Sequence, residues 1–386
     1  MAITLVAIAA VAASAGAFAQ SSVTVFGIAD IGYGVQQDKA ADGSLIRKSA
    51  GVKDGALAGN RIGFRGTEDI GNGLTANFWF EAGVSPSTGY LLNERDGAAG
   101  HVQTDRTAQT TRQAWAGLKD AKLGEVRLGY QNTLTYDLTS QRHALSIYPE
   151  SRGGSAHNGV SVATRATGAT YFSPVINNVE YSLQWAGAQD KGVTTANTYS
   201  SVSGTTYQAN VLGLGAIYKN GPLQAGIVHH QLKQTGATPV ATSIYTTTTN
   251  NAAVDTAEER LTSATMLAGR YDFGTFKLAA NYGKGKVEAG TAATVALTDR
   301  KQYELGVSVP VGATDLIASY GVVTTDKVTG GTAEAKVKHT GIGAIQNLSK
   351  RTRLYVLYGT QNDSVPTSST VAAKLSGTRV GISHAF

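Results

Sequence analysis

Hydrophobic and polar residues alternate with a period of two along most of this chain. In residues 74–84, LTANFWFEAGV, apolar side chains alternate with polar ones, and Trp79 is an exception on the polar side. Residues 125–131, EVRLGYQ, and the last eight residues, 379–386, RVGISHAF, alternate in the same way. Because successive side chains of a strand point to opposite faces, each segment predicts a β-strand with one apolar face.

Short and long connections alternate between the predicted strands. The seven short ones are rich in Gly, Asn, Asp and Pro, as turns are, and cover 68–73, 119–124, 173–178, 219–221, 272–274, 310–313 and 347–350. The eight long ones are polar and cover 37–58, 84–106, 133–163, 189–206, 235–257, 288–299, 326–335 and 361–376. Fifteen connections predict sixteen strands, with both chain termini on the short-turn side.

This pattern predicts an all-β protein, a sixteen-stranded antiparallel transmembrane β-barrel. No apolar run after residue 19 approaches the roughly 20 residues of a membrane-spanning helix. The spacing of roughly 23 residues per strand also exceeds the 8–12 residues typical of soluble β-sandwiches. A barrel in the membrane has apolar side chains towards lipid, short turns at one end and long loops at the other.

The first 19 residues form a predicted signal peptide. An apolar run from Ile3 to Ala13 leads to Ala17-Phe18-Ala19, a small-residue cleavage site before Gln20. The segment is atypical because no Lys or Arg follows Met1. Residues 20–386 then form a single domain, and since the chain has no cysteine, disulfides do not stabilise it.

Several segments resemble the general-diffusion porins of Gram-negative outer membranes, above all the beta-proteobacterial type. They are SSVTVFGIADIGYG (21–34), NRIGFRGTEDIGNGLTANFWFE (60–81), TRQAWAGLKDAKLGEVRLGYQ (111–131), NLSKRTRLYVLYG (347–359) and the terminal GISHAF. The resemblance implies an outer-membrane homotrimer with both termini in the periplasm, through which small hydrophilic solutes diffuse passively. It also implies that the third long loop folds into the barrel and narrows the channel.

The resemblance implies a constriction with basic residues at Arg61, Arg112 and Arg165 and an acid at Glu150, in the loop tip PESRGG (149–154). For two of these arginines, the alternation of polar and apolar residues agrees with a position on the lumen face. Arg61 alternates with apolar residues, and Arg112 shares its predicted face with Ala114 and Ala116, opposite Trp115. A lipid-facing arginine at the bilayer centre costs about 2–4 kcal/mol, which favours the lumen.

Counting charges at this constriction predicts a weakly anion-selective channel. The positive charges come from Arg61, Arg112, Arg165 and Arg152, and the negative charges from Glu81 and Glu150, so the local sum is 4 − 2 = +2. Arg152 has no counterpart in the family pattern. Rings of basic side chains favour anions. Three further arginines on polar faces predict a basic lumen wall: Arg65, Arg127 and Arg379.

The ends and the outer face carry the remaining expectations about partners. The terminal Phe386 matches the family's C-terminal aromatic signal, which implies recognition by the barrel-assembly machinery. Small residues expected on the outer face, for packing against another barrel, are Gly27, Ala29, Gly341 and Gly343. Outer-membrane lipid and lipopolysaccharide are the other expected partners, while dispersed basic residues argue against nucleic-acid binding.

Two other functions fit parts of the sequence. A barrel enzyme of the protease or phospholipase type requires a Ser-His or Asp-His pair near one rim. His143 and His157 share a loop with several serines, but their spacing fits no motif, and no metal or cofactor motif occurs. We therefore predict no enzyme activity, no metal and no cofactor. A solute-specific channel or an adhesin stays open, because the loops carry no recognisable signal.

Overall fold

The computed structural model describes residues 22–92, 111–138, 165–187, 208–235, 260–291, 294–326, 334–364 and 373–386. Within them the chain forms eighteen strand segments. They are β1 (Ser22–Lys39), β2 (Leu45–Asp54), β3 (Arg61–Gly71), β4 (Leu74–Ser85), β5 (Tyr90–Leu92), β6 (Thr111–Asp120), β7 (Gly124–Asn132), β8 (Arg165–Phe172), β9 (Val179–Gly187), β10 (Gln208–Asn220), β11 (Leu223–Thr235), β12 (Arg260–Asp272), β13 (Lys277–Thr291), β14 (Thr294–Val311), β15 (Thr314–Thr325), β16 (Ala335–Asn347), β17 (Thr352–Asp363) and β18 (Lys374–Ala385). In these ranges no helix has the length and apolar character needed to cross a membrane.

The segments close into one antiparallel barrel. The last strand, β18, pairs with β1 from Ile28↔Ala385 to Lys39↔Lys374. On its other edge β1 pairs with β3 and then β2, which are two halves of one barrel strand interrupted at residues 55–60. β5 is a short addition to β4, whose main partner is β6. The segments therefore count as sixteen barrel strands, which confirms the predicted number.

Apolar side chains cover the outer face of the barrel and polar side chains line much of its inner face, as β9 illustrates. Its outward side chains Tyr181, Leu183 and Trp185 are 51, 44 and 54% exposed. The intervening Ser182 and Gln184 are 8 and 1% exposed, because they point into the barrel. This inversion of the usual soluble pattern is the arrangement expected of a strand that faces lipid on one side and a polar lumen on the other.

The short turns and both described ends lie at one rim of the barrel. Seven tight connections join β3 to β4, β6 to β7, β8 to β9, β10 to β11, β12 to β13, β14 to β15 and β16 to β17, as the sequence predicts. In the β3–β4 turn, Asn72 and Gly73 have φ angles of 55° and 82°, values that favour the Asn-Gly sequence of a two-residue hairpin turn. At the same rim Phe386 exchanges two backbone hydrogen bonds with Gly27, of 3.1 and 3.2 Å.

Two connections predicted to be long are mostly strand. The segment 37–58 contains the end of β1 and all of β2, joined by a tight turn at 40–44. In that turn the Asp42 carboxylate accepts hydrogen bonds from the hydroxyl and amide of Ser44, which hold the pKa of Asp42 below its usual range. Likewise β13 reaches Thr291 and β14 begins at Thr294, within the predicted loop 288–299. Both segments were predicted as loops because of their polar composition, but strands that extend beyond the membrane need no apolar face.

The prediction that small residues lie on the outer face is only partly correct. Gly343 faces the lumen, since a Cβ there would lie 2.5 Å from Cδ2 of the buried Leu357. Gly341 has the same parity and is buried. Gly27 does face outward, but the ring of Phe386 covers it, so that no Cβ could be added without displacing the ring. These three glycines are therefore not free for packing against another barrel.

The third long loop begins inside the barrel. After β7 a single helical turn, Leu134–Tyr136, leads inward, and Leu134 and Leu138 are buried in an apolar cluster with inner-wall residues of β8 to β12. The amide of Leu134 donates to Oε1 of Gln184, at 3.3 Å, and Thr135 hydrogen-bonds Nδ1 of the buried His230. Gly226 makes room for this approach, because a Cβ there would lie 2.6 Å from Leu138 Cδ1.

Candidate functional site

Glu81 is the centre of the charged cluster on the lumen wall. It lies on β4 and is 3% exposed. Its Oε1 lies 2.5 Å from Nε of Arg112 and 3.6 Å from an Nη of Arg61. Its Oε2 accepts a 3.3 Å hydrogen bond from the indole N–H of Trp79. One carboxylate is therefore shared by two guanidinium groups and fixed by a third donor.

Arg112 reaches the lumen through a β-bulge. Glu81 pairs with Gln113 and Ala82 with Thr111, so Arg112 is the extra residue on β6 at this point. Beyond the bulge, Ala114 and Ala116 pair with the outward Phe80 and Phe78, while Trp115 pairs with the inward Trp79. The predicted face of these three residues was thus wrong, because strict alternation fails where a bulge inserts one residue.

An interruption of the barrel wall positions Arg61. Residues 55–60 leave the wall between β2 and β3, and Arg61 follows them directly. The Nε of Arg61 donates a 2.8 Å hydrogen bond to the carbonyl oxygen of Gly59. Gly59 also lies against Arg112, since a Cβ there would be 2.9 Å from its Nη1. The two arginines are therefore held together by the same short segment.

Asp30 on β1 holds this segment inside the barrel. Its fully buried carboxylate accepts 2.8 Å hydrogen bonds from the amides of Leu57 and Ala58. Ala56 and Leu57 pack against an apolar cluster on the inner face of β15 to β17, composed of Ile317, Ile345, Tyr355 and Leu357. Sequence reasoning missed Asp30, although an acid at a lumen-facing position of the GIADIGYG motif is a signal that could have pointed to it.

Arg165 lies at the start of β8 and is 5% exposed. Its guanidinium lies over the ring of Tyr136, 5.2 Å from the centroid, at the inward-folded beginning of the third loop. Glu81 and Arg61 both act electrostatically on its charge. Tyr136 was not predicted from the sequence. The predicted loop residues Glu150 and Arg152 lie outside the described residues.

The described part of the site carries a net positive charge. Three positive charges, on Arg61, Arg112 and Arg165, and one negative charge, on Glu81, give a sum of 3 − 1 = +2. This equals the sum predicted from the sequence, in which the loop residues Glu150 and Arg152 cancel each other. Chemically, such a cluster attracts an anion and repels a cation in the lumen.

The three arginines predicted as a basic wall all lie on the inner face, in different environments. Arg65 is exposed and lies over the rings of Phe26 and Trp79, at 5.3 and 5.4 Å. Arg127 forms a bidentate pair with Glu125 on the same strand, at 2.8 and 2.9 Å. Arg379 donates a 2.7 Å hydrogen bond to the carbonyl oxygen of Asp54, beside the inward segment.

Comparison with known proteins agrees with the barrel fold and its charged lumen. Residues 4–365 match the model of the Gram-negative porin family. Outer membrane porin protein 32 of Delftia acidovorans and an outer membrane porin protein of Bordetella pertussis are each 28% identical, over 99% of this chain and 99% of each relative. The fold is similar to that of the solved anion-selective porin from Comamonas acidovorans, with a TM-score of 0.67 and 23% identity over 95% of this chain and 100% of that one.

These relatives are channels, so the alternative of a barrel enzyme is not supported. The barrel closure, the lipid-facing apolar surface and the match over most of the chain agree on an integral outer-membrane protein. The chain therefore belongs to the Gram-negative porin family and forms an outer-membrane channel.

Proposed function

We propose that this porin prefers anions, and that Arg61, Arg112, Arg165 and Glu81 determine the preference. The observation that carries the proposal is the lumen-wall cluster in which the guanidiniums of Arg61 and Arg112 share the carboxylate of Glu81, within electrostatic range of Arg165. The porin from Comamonas acidovorans, which has a similar fold, is anion-selective. Small hydrophilic solutes diffuse passively through the lumen, and anions among them pass more readily.

The overall charge of +6 is a poor alternative explanation. At physiological salt the screening length is about 8 Å, so that exposed charges at the rims scarcely act on an ion at mid-channel. A charge on the wall of a narrow opening lies within that length, where a unit pair at 8 Å is worth about 2 kcal/mol at an effective dielectric near 20. Local charges therefore dominate selectivity.

The test compares two charge reversals on one strand. Arg112→Glu changes the local sum by two units, from +2 to 0. Lys122→Glu changes the total charge equally, but Lys122 lies in the turn that follows β6. The strand from Arg112 to Asp120 alone spans about 26 Å at about 3.3 Å per residue. The zero-current potential under a KCl gradient then reports the selectivity of each variant.

We expect a large shift towards cation preference in Arg112→Glu and a negligible one in Lys122→Glu. Equal shifts would assign selectivity to the total charge. No shift in either variant would mean that the constriction lies elsewhere. The third loop, including Glu150 and Arg152, completes the constriction in this proposal, and charge reversals there provide the second half of the test.

We further propose a homotrimer whose contact surface includes the outer face of β3, β4 and β6. Small residues Ala76 and Ala116 lie there between Phe78, Leu118 and Leu128, in an apolar groove. An outer membrane protein of Vibrio cholerae with a similar fold has a trimer form, although its 14% identity to this chain supports only the similarity of fold. Native mass measurement or cross-linking in mild detergent tests this, and a monomer under all conditions would refute it.

The route to the membrane is also part of the proposal. Residues 1–19 act as the signal peptide, so the mature chain begins at Gln20. The short-turn rim with both termini faces the periplasm, the barrel-assembly machinery recognises Phe386, and the long loops face lipopolysaccharide. Amino-terminal sequencing of the membrane protein decides the cleavage site.

A further inference from the structure

A row of alternating aromatic and basic side chains lines the lumen between the charged cluster and the short-turn rim. We call it the aromatic–arginine wall, and its members are Phe26, Arg65, Trp79, Trp115, Arg127 and Phe172. Arg65 follows Arg61 by four residues on β3, which places it about 13 Å further towards that rim. The wall is therefore adjacent to the charged cluster, and Trp79 connects the two through its hydrogen bond to Glu81.

The aromatic rings form a continuous surface. Trp79 and Trp115 are direct partners on β4 and β6, with centroids 6.3 Å apart and planes only 11° from parallel. Phe26 lies against Trp79 with a centroid distance of 4.6 Å. The indole N–H groups donate to Glu81 and Gln113, at 3.3 and 3.2 Å, so both ring systems are held in place. A rigid aromatic surface loses little conformational entropy when a ligand binds.

The two arginines of the wall differ in how their charge is balanced. Arg127 lies 4.4 Å from the centroid of Trp115 and is neutralised by its bidentate pair with Glu125. Arg65 is exposed, and among the residues that the structure describes it has no ion-pair or hydrogen-bond partner. Its described contacts are the faces of Phe26 and Trp79. Arg65 therefore offers hydrogen-bond donors and a charge to a solute in the lumen.

Aromatic rings on the lumen side need an explanation, because the interior of a diffusion channel is ordinarily polar. Phe26 and Trp79 remain partly exposed there. A guanidinium beside an aromatic surface combines charge-assisted hydrogen bonds to a carboxylate with apolar and stacking contacts to a ring. A solute that carries both groups fits this surface better than a simple inorganic anion does.

We propose that the aromatic–arginine wall is a binding site for small aromatic carboxylates of the benzoate type. The carboxylate pairs with Arg65, and the ring lies against Phe26 and Trp79. The inference rests on the proposed function, because the solute must reach the lumen and an anion must be favoured there. It adds a solute class that the charged cluster by itself does not select.

Tryptophan emission provides a direct binding assay. The chain has three tryptophans, of which Trp185 is 54% exposed on the lipid face, so Trp185→Phe leaves emission from the wall alone. The full-length porin in this background is titrated in detergent with 4-nitrobenzoate, which quenches indole emission. Acetate supplies a carboxylate without a ring, and 4-nitrobenzyl alcohol supplies the ring without the charge.

We expect saturable quenching by 4-nitrobenzoate, weaker binding of 4-nitrobenzyl alcohol and no competition by acetate at equal concentration. Arg65→Gln should weaken 4-nitrobenzoate binding about tenfold, the loss expected for one charge-assisted pair. Arg65→Lys keeps the charge but loses the planar guanidinium, so its affinity for 4-nitrobenzoate should lie between those of the parent and Arg65→Gln. The matched control is Arg353→Gln, because Arg353 shares the inward parity of Tyr355 on β17, which β18 and β1 separate from β3, and has no described aromatic partner.

Equal affinity of the parent and Arg65→Gln, or equally tight binding of the alcohol, would overturn the proposal. Conductance and zero-current potential in KCl are measured on the same variants. An open anion-preferring channel without specific binding refutes the aromatic site alone, whereas a channel without anion preference refutes the proposed function. SDS-resistance of each variant verifies that the barrel has formed.

Discussion

The hydroxyl of Tyr355 donates a 2.8 Å hydrogen bond to Oδ1 of Asp30, across the inner face of β18 and the closure of the barrel. Gly32 and Gly381 leave the space for it, since a Cβ at Gly32 would lie 3.0 Å from the Tyr355 hydroxyl and one at Gly381 even closer. Because Asp30 also accepts from the amides of Leu57 and Ala58, one carboxylate joins the last strands, the first strand and the inward segment 55–60.

Asp30→Ala should release the inward segment. We expect single-channel conductance and its noise to rise, because residues 56–58 lose their hydrogen bonds to the carboxylate while the barrel ladder is untouched. Tyr355→Phe removes one hydrogen bond and keeps the ring, so it should cost about 1 kcal/mol and alter conductance less. Planar-bilayer recording compares the two, and an unchanged conductance in Asp30→Ala would show that the segment is held by its apolar packing instead.

Glu81→Gln should strengthen anion preference. The substitution raises the local sum from +2 to +3 and leaves an amide oxygen that can still accept from Arg112. Glu125→Gln removes the same charge near the short-turn rim, where Glu125 lies beside Lys119 and Thr75, about 20 Å from Glu81 along β4. Zero-current potentials should shift clearly for the first and slightly for the second. The reverse ranking would contradict the proposed selectivity cluster.

Ala116→Arg should destabilise the barrel by about 2 kcal/mol in a bilayer, because Ala116 lies on the apolar outer face at the middle of β6, where the charge meets lipid or, in the proposed trimer, the neighbouring barrel. Asn77→Arg is the matched control: Asn77 lies on the neighbouring strand, pairs with Gly117 and faces the lumen. Denaturant unfolding in liposomes should therefore separate the two variants. If Asn77→Arg proved the more harmful, the faces of β4 and β6 would be assigned incorrectly.

Phe386→Ala should reduce the amount of barrel assembled in cells more than it reduces the stability of the refolded protein. The ring covers Gly27 on the outer face, and the backbone pair with Gly27 does not need the side chain. Phe273→Ala alters another aromatic residue that is 50% exposed at the same rim, and it should assemble normally. Wild-type levels of assembled Phe386→Ala, measured by heat-modifiability, would exclude a role as a signal.

The sequence could predict what is local in a strand. A period of two is enough to identify the outward Tyr181, Leu183 and Trp185 and the inward Ser182 and Gln184, since lipid and lumen impose opposite polarity on successive side chains. Trp79, the exception on its polar face, was also informative, because it belongs to the aromatic–arginine wall. The strand number followed from turns such as Asn72-Gly73, whose positive φ angles suit those residue types.

Departures from regular strand geometry could not be predicted in this way. The bulge that turns Arg112 inward depends on the register between β4 and β6, and alternation alone assigns Ala114, Ala116 and Trp115 to the wrong faces. The inward segment 55–60 depends on Asp30 and Tyr355, which are 325 residues apart in sequence. Periodicity reports on one strand at a time, whereas a bulge, a strand interruption and a shared carboxylate are decided by pairing between strands. The sequence by itself thus determined the barrel and its polar lumen, and only the tertiary structure decided which arginines share Glu81, because that requires strands brought together by closure.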